Sequence, residues 1–183
     1  MCASIVDYAA ADQLVSSGLR DLGYDTIMVT CHGWQRDART KQLRANPKTW
    51  PKGYQALVDY LHARGLKITA YASTGRFNCC PPFDGIVEPG SLNYEELDIQ
   101  TFADWGVDGI GIDNCALPYS GPAPSTDHSV VEYRRFHDAW LRVNRSISLQ
   151  IWDGGFGKPG SWAPGLGHFW RTGPDLGNRW DYD

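Results

Sequence analysis

The sequence predicts an α/β fold in which a parallel sheet curves toward a barrel and carries helices on its outside. Two observations support this. Segments with helical apolar spacing alternate with short β-branched runs across short connections, the pattern of parallel strands joined by helical crossovers. Within the strand-like runs one face is aliphatic and the other small, polar or aromatic. That suits a barrel interior better than a doubly wound sheet buried by apolar helices on both sides. The 183 residues are too few for all eight units, which need about 250, so the expected fold is an incomplete (β/α)8 TIM-type barrel.

Taken in order, Ala11, Leu14, Val15 and Leu19 fall at helical spacing, Ser4 and Asp7 supply a capping-box start, and Gly23 closes the segment, which predicts a helix over 4–21. The run 24–30, YDTIMVT, reads as a buried parallel strand. Tyr54, Leu57, Val58 and Leu61 mark a helix over 53–64, and 66–71 is the next strand. Asn93 and Glu96 cap a helix over 94–105, followed by a strand over 107–113. Tyr133, Phe136, Trp140 and Val143 mark a helix over 128–143, followed by strands over 147–153 and 168–172. Residues two apart share a strand face, so Ile110 and Ile112 face helices while Gly109, Gly111 and Asp113 face the interior. In the next strand Ile147, Leu149 and Ile151 face helices, and Ser148, Gln150 and Trp152 do not.

Composition narrows the function classes. Lys+Arg 17 against Asp+Glu 21 gives a net charge of −4, with both signs spread along the chain, so neither nucleic acid nor a membrane surface is an expected partner. No apolar run approaches the roughly 18 residues of a bilayer span. Eight Trp and nine Tyr exceed what a core of this size needs, which makes a sugar-binding surface a candidate beside plain core filling. Five cysteines without a repeated C-x-x-C spacing argue against structural zinc. Cys31 and His32, with His128 or His137, make a poor metal set, because adjacent strand residues point to opposite faces. No metal or cofactor is expected. The N-terminal stretch has neither a positive leader nor an apolar core, so no secretion signal is visible in it.

In α/β barrels the active site lies at the C-terminal ends of the strands. Those ends carry Cys31 to Trp34, Tyr71, Asp113-Asn114-Cys115, Trp152-Asp153, and Arg171 with Asp175. Carboxylates, an Arg and aromatics converging on one mouth are the equipment of a glycosidase. One acid attacks or stabilises the anomeric carbon, another protonates the leaving oxygen, and aromatic walls hold the ring. Asp153 stands as the substitute acid/base should Asp175 be a turn residue.

Several ordered motifs, among them NPKTWPKGYQALVDYLHARGLKITAYASTG, PGSLNYEELDIQTFADWGVDGIGIDNC and FWRTGPDLGNRW, resemble the barrel domain of glycoside hydrolase family twenty-seven, the α-galactosidases (melibiases) and α-N-acetylgalactosaminidases. The resemblance covers nearly the whole chain. It implies a (β/α)8 barrel followed by a β-sandwich, and retaining hydrolysis of α-linked galactose through a covalent glycosyl-enzyme. Residues 1–183 would then be a portion of the catalytic barrel, roughly its helix 1 to its strand 6, without the sandwich. Asp113 falls on the family's nucleophile, Asp175 on its acid/base, and Arg171 on an Arg that contacts the sugar. Tyr71 and Trp152 match pocket aromatics, and Trp34 follows the positions that hold sugar hydroxyls. Cys79 and Cys115 match a disulfide beside the nucleophile, although adjacent Cys80 leaves the partner of Cys115 open. The family's habitat implies a secreted or lysosomal parent protein.

The departures from the family pattern concern recognition. Hydroxyl-binding Asp positions are Cys31 and His32 here, a hydroxyl-binding Lys is Gly111, and a further cysteine pair is Gln150 and Gly167. Each buried polar partner lost costs about 1–3 kcal/mol. Two readings follow: an α-galactosidase-like hydrolase with a retuned preference, or a weakened or inactive sugar-binding relative.

Overall fold

The computed structural model describes residues 3–31, 33–82, 85–115, 126–155 and 157–175; His32 lies outside them. Helix α1 (Ala3–Ser16) leads to β1 (Thr26–Met28), a hairpin of β2 (Trp34–Arg36) and β3 (Leu43–Ala45), and α2 (Tyr54–His62). Then follow β4 (Lys67–Ser73), α3 (Glu95–Asp104), β5 (Gly109–Asp113), α4 (Thr126–Trp140), β6 (Ser148–Trp152) and β7 (Phe169–Trp170). The main sheet has the order β1-β4-β5-β6-β7, every neighbouring pair parallel. This is the strand arrangement of part of a (β/α)8 barrel.

The two strand faces divide as their parity predicts. Ile68, Ala70, Ile110, Ile112, Leu149 and Ile151 are buried in one core with Leu57, Leu61, Phe102 and Phe136 from the helices. On the other face Gly109 and Gly111 make room for their neighbours. A Cβ on Gly109 would come within 2.8 Å of both Ser148 Oγ and Thr69 Oγ1, and one on Gly111 would come within 2.4 Å of the Trp152 ring. Helix α2 buries the predicted stripe of Tyr54, Leu57, Val58 and Leu61.

Three local expectations need correction. Helix α1 stops at Ser16, because Gly18 turns left-handed (φ 76°) and the Ser17 hydroxyl takes the Gln13 carbonyl; a short 3-10 turn at Arg20–Leu22, closed by Gly23, follows. Asn93 does not cap α3. It adopts φ 66°, Tyr94 occupies the cap without a side-chain bond, and the Glu95 carboxylate accepts the Asn93 N–H. The final strand is two residues long.

The β2–β3 hairpin has no counterpart among the predicted elements. Asp37 turns it by accepting the backbone N–H groups of Arg39 and Thr40. Its first strand is anchored by Arg36, whose guanidinium forms a two-pronged pair with the fully buried Asp98 of α3 at 2.8 and 2.7 Å and also donates to Gly90 O. Burial pushes the Asp98 carboxyl up, and the guanidinium opposes that shift.

Candidate active site

Parallel register brings the chemistry-bearing ends together. Asp113 ends β5 opposite Ser73 of β4 and Trp152 of β6. Arg171 follows β7, its N–H donating to Ile151 O. A hollow of about 280 Å³ at these C-terminal ends is lined by Cys79, Asp113, Asn114, Trp152, Asp153, Arg171 and Asp175, with Gly154 and Pro174. A larger cavity, about 560 Å³, lies at the opposite ends of the strands. Its one carboxylate, Asp108, is bound to His62 and Arg145, so no free acid pair exists there for chemistry.

Asp113 is held from two sides. The Tyr71 hydroxyl donates to its Oδ2 at 2.8 Å, and the Asn114 backbone N–H donates to its Oδ1 at 2.8 Å. Burial, reinforced by the Asp113 charge, pushes the Tyr71 phenol far up, so Tyr71 remains a hydrogen-bond donor across the accessible pH range. Its ring lies 5.6 Å from that of Trp152, which lines the hollow next to Asp113. Asp175 pairs with Arg171 at 2.7 Å, and its side chain is 92% exposed. The loop that carries them packs tightly on the Gly154-Gly155 turn after β6. A Cβ on Gly155 would come within 2.8 Å of Thr172 O and Gly173 Cα, and Gly155 adopts φ 82°.

The hollow thus brings together Asp113, Asp175, Arg171, Trp152 and Cys79; Tyr71 and Cys115 touch Asp113 or its neighbours from behind. Trp34 is a correction. It is 2% exposed, stacked on Trp105 and edge-on to Tyr54 and Phe102, with its indole N–H donated to Tyr71 O at 3.0 Å. It therefore supports β4 from the core and faces no ligand. The chain's turn into the hairpin at Gly33 carries it inward, a change of direction that strand parity could not foresee.

Cys79 pairs with Cys115, and Cys31 with Cys80. Cys79, Asp113 and Cys115 form a group with ligand atoms within 4.8 Å of one another, but both sulfurs are spent in the disulfide and offer no thiolate. Three features were not read from the sequence: the Cys31–Cys80 bridge, the bonding of Asn114, and Ser129 beneath Asp153. The doubled cysteine at 79–80 was the available signal for the first, since two neighbours need two partners.

The family model described as alpha galactosidase A (Melibiase_2) matches residues 3–152. The chain belongs to this melibiase family. It is 36% identical over 171 residues to alpha-galactosidase 2 of Arabidopsis thaliana, covering 93% of this chain and 40% of that protein. Alpha-galactosidase I of Mortierella vinacea superposes with a TM-score of 0.81 at 30% identity, over 90% of this chain and 40% of that one. The α-galactosidase of Saccharomyces cerevisiae, solved with raffinose, superposes with a TM-score of 0.81 at 27% identity, over 90% of this chain and 34% of that one. The chain thus spans well under half the length of these melibiases. At the two described hydroxyl-binding positions where it departs from the expected melibiase pattern, the space is taken. Cys31 is bonded to Cys80, and the Trp152 ring covers Gly111, leaving no room for any side chain there.

Proposed function

We propose that the full-length protein is a retaining glycosidase that removes terminal α-linked galactose, with residues 1–183 forming a portion of its catalytic barrel. Asp113 attacks the anomeric carbon while Asp175 gives its proton to the leaving oxygen. Water, deprotonated by Asp175, then releases the sugar from the Asp113 ester. Arg171 and Tyr71 bind and orient, Trp152 offers an apolar face to the ring, and the Cys79–Cys115 disulfide makes the adjoining wall. The observation that carries this reading is that Asp113 and Asp175 line one sugar-sized hollow at the C-terminal ends of parallel strands. The α-galactosidase names of its relatives support the substrate class. Two disulfides support a parent protein exported from the cytosol, to the outside or the lysosome.

The test is turnover of p-nitrophenyl α-D-galactopyranoside by the full-length protein. Asp113→Asn is expected to lower kcat by about 10³-fold or more, and Asp175→Asn by about 10²–10⁴-fold. NMR of the first-formed sugar should show the α-anomer. A first-formed β-anomer would refute retention, and unchanged turnover in Asp113→Asn would refute the role of Asp113. A second reading, a sugar-binding relative with weak or no hydrolysis, is favoured by the disulfide at Cys31 and the ring over Gly111, which remove hydroxyl partners. Galactose binding by calorimetry without product release would select it.

A further inference from the structure

Asp153 is buried and only 1% exposed, yet it lines the same hollow as Asp113. It stands one residue past the end of β6, and Asn114 one residue past the end of β5. The Asn114 Nδ2 donates to Asp153 Oδ1 at 2.6 Å, and the buried Ser129 hydroxyl of α4 donates to the same oxygen at 3.2 Å. Asp153 Oδ2 is buried and accepts no hydrogen bond from the described residues. A buried carboxyl with one unsatisfied oxygen costs stability, and burial accordingly pushes its pKa up, with the Asp113 charge adding to the effect. An apolar residue of similar size would avoid that cost, so its retention at a strand end needs a local reason.

Asn114 supplies the reason. Its side-chain oxygen accepts from Thr74 Oγ1 at 3.4 Å, its side-chain nitrogen is fixed by Asp153, and its backbone N–H donates to Asp113 Oδ1 at 2.8 Å. Once the carboxamide is pinned on both sides, the peptide just after β5 cannot rotate, and its N–H stays aimed at the carboxylate. We infer that Asp153 is a positioning residue that acts through Asn114 to hold the Asp113 carboxylate in its reactive orientation. This inference rests on the proposed role of Asp113. It gives Asp153 a task other than proton transfer to the leaving group.

The test uses the full-length protein, with turnover of p-nitrophenyl α-D-galactopyranoside and hydrogen exchange of the Asn114 backbone amide as readouts. Asp153→Ala is expected to lower kcat by about 10- to 100-fold, the cost of a misplaced reacting group, with KM little changed and exchange at Asn114 faster. Asp153→Asn keeps an oxygen acceptor for Asn114 and Ser129 and should restore most of the lost kcat. Asn114→Ala should reproduce the kcat loss, and the double variant Asn114→Ala/Asp153→Ala should lose no more than either single one, as expected of residues acting through one link. Where Asp153→Ala folds too poorly to assay, Asn114→Ala and Asp153→Asn decide the question. Wild-type kcat in Asn114→Ala or Asp153→Ala, with Asp113→Asn inactive, overturns the inference. So does an Asp153→Asn as impaired as Asp153→Ala, since the charge or proton would then be what counts. If Asp113→Asn keeps full turnover, the proposed function fails instead. Positioning is then judged by amide exchange alone, and unchanged Asn114 protection in Asp153→Ala overturns it.

Discussion

At Gly111 the absence of a side chain is itself a packing requirement. Trp152 reaches across from β6 so closely that a methyl at 111 would sit within 2.4 Å of the indole. Gly111→Ala should therefore lower the urea midpoint by an amount equivalent to about 1–3 kcal/mol, and adding Trp152→Ala should recover part of it. Loss of stability that the second substitution leaves untouched would place the strain elsewhere. Asp7 gives a pH-dependent case. Burial raises its pKa to about 6 from 3.8, and the charge is felt by Tyr8 and Tyr54. The fold thus favours the protonated acid. The associated stability is fully present below pH 3.8 and is lost as pH rises through 6. Asp7→Asn should remove this dependence and stabilise the protein at pH 8 relative to pH 4, by about 1 kcal/mol after allowance for partial exposure. Denaturation midpoints of both proteins across pH 4–8 check it.

Among the elements, the β2–β3 hairpin is held by the burial of Trp34 and Leu43 in the core and by one buried ion pair. Its strands are three residues each and, among the described residues, pair with one another and not with the main sheet, and an isolated hairpin of that size is marginal in water. The Arg36–Asp98 pair, with the Arg36 guanidinium 4.2 Å above the Tyr94 ring, locks it to α3. Arg36→Ala would leave the Asp98 carboxyl buried without its counter-charge, expected to cost about 3–5 kcal/mol. Arg36→Met with Asp98→Leu should recover much of that, and equal losses in the single and double variants would show that the ion pair is not what holds the hairpin. Helices α2 and α4 need no such device, since α2 buries Tyr54, Leu57, Val58 and Leu61 and α4 buries Tyr133, Phe136 and Ala139 in the core.

For the molecule as a whole, periodicity made the sheet and its helices legible. Strands β4, β5 and β6 carry alternating faces long enough to recognise, and the glycines at 109 and 111 marked the interior side. Strand-end placement alone gathers Asp113, Trp152, Arg171 and Asp175, the residues that line the hollow. The hairpin was illegible because three-residue strands carry too little alternation. Trp34 misled because an indole suits a core and a ligand wall equally well, and the choice depended on a change of chain direction at Gly33. The bonds of Asn114 and Asp153 cross between strands 39 residues apart, which no local pattern encodes.

Cys79 and Cys80 are adjacent, yet they bond in different directions, to Cys115 at the end of β5 and to Cys31 after β1. Exchanging the two neighbours would change each closed loop by a single residue, so chain entropy barely separates the native connectivity from the crossed one. Selection falls to local fit, with Cys80 enclosed and Cys79 outward-facing. Recombinant preparations therefore need conditions that allow thiol–disulfide shuffling. Counting residual sulfhydryls cannot certify them, because both isomers consume the same four sulfurs, and proteolytic mapping leaves Cys79 and Cys80 on one peptide; stepwise partial reduction with alkylation, followed by sequencing of that peptide, can.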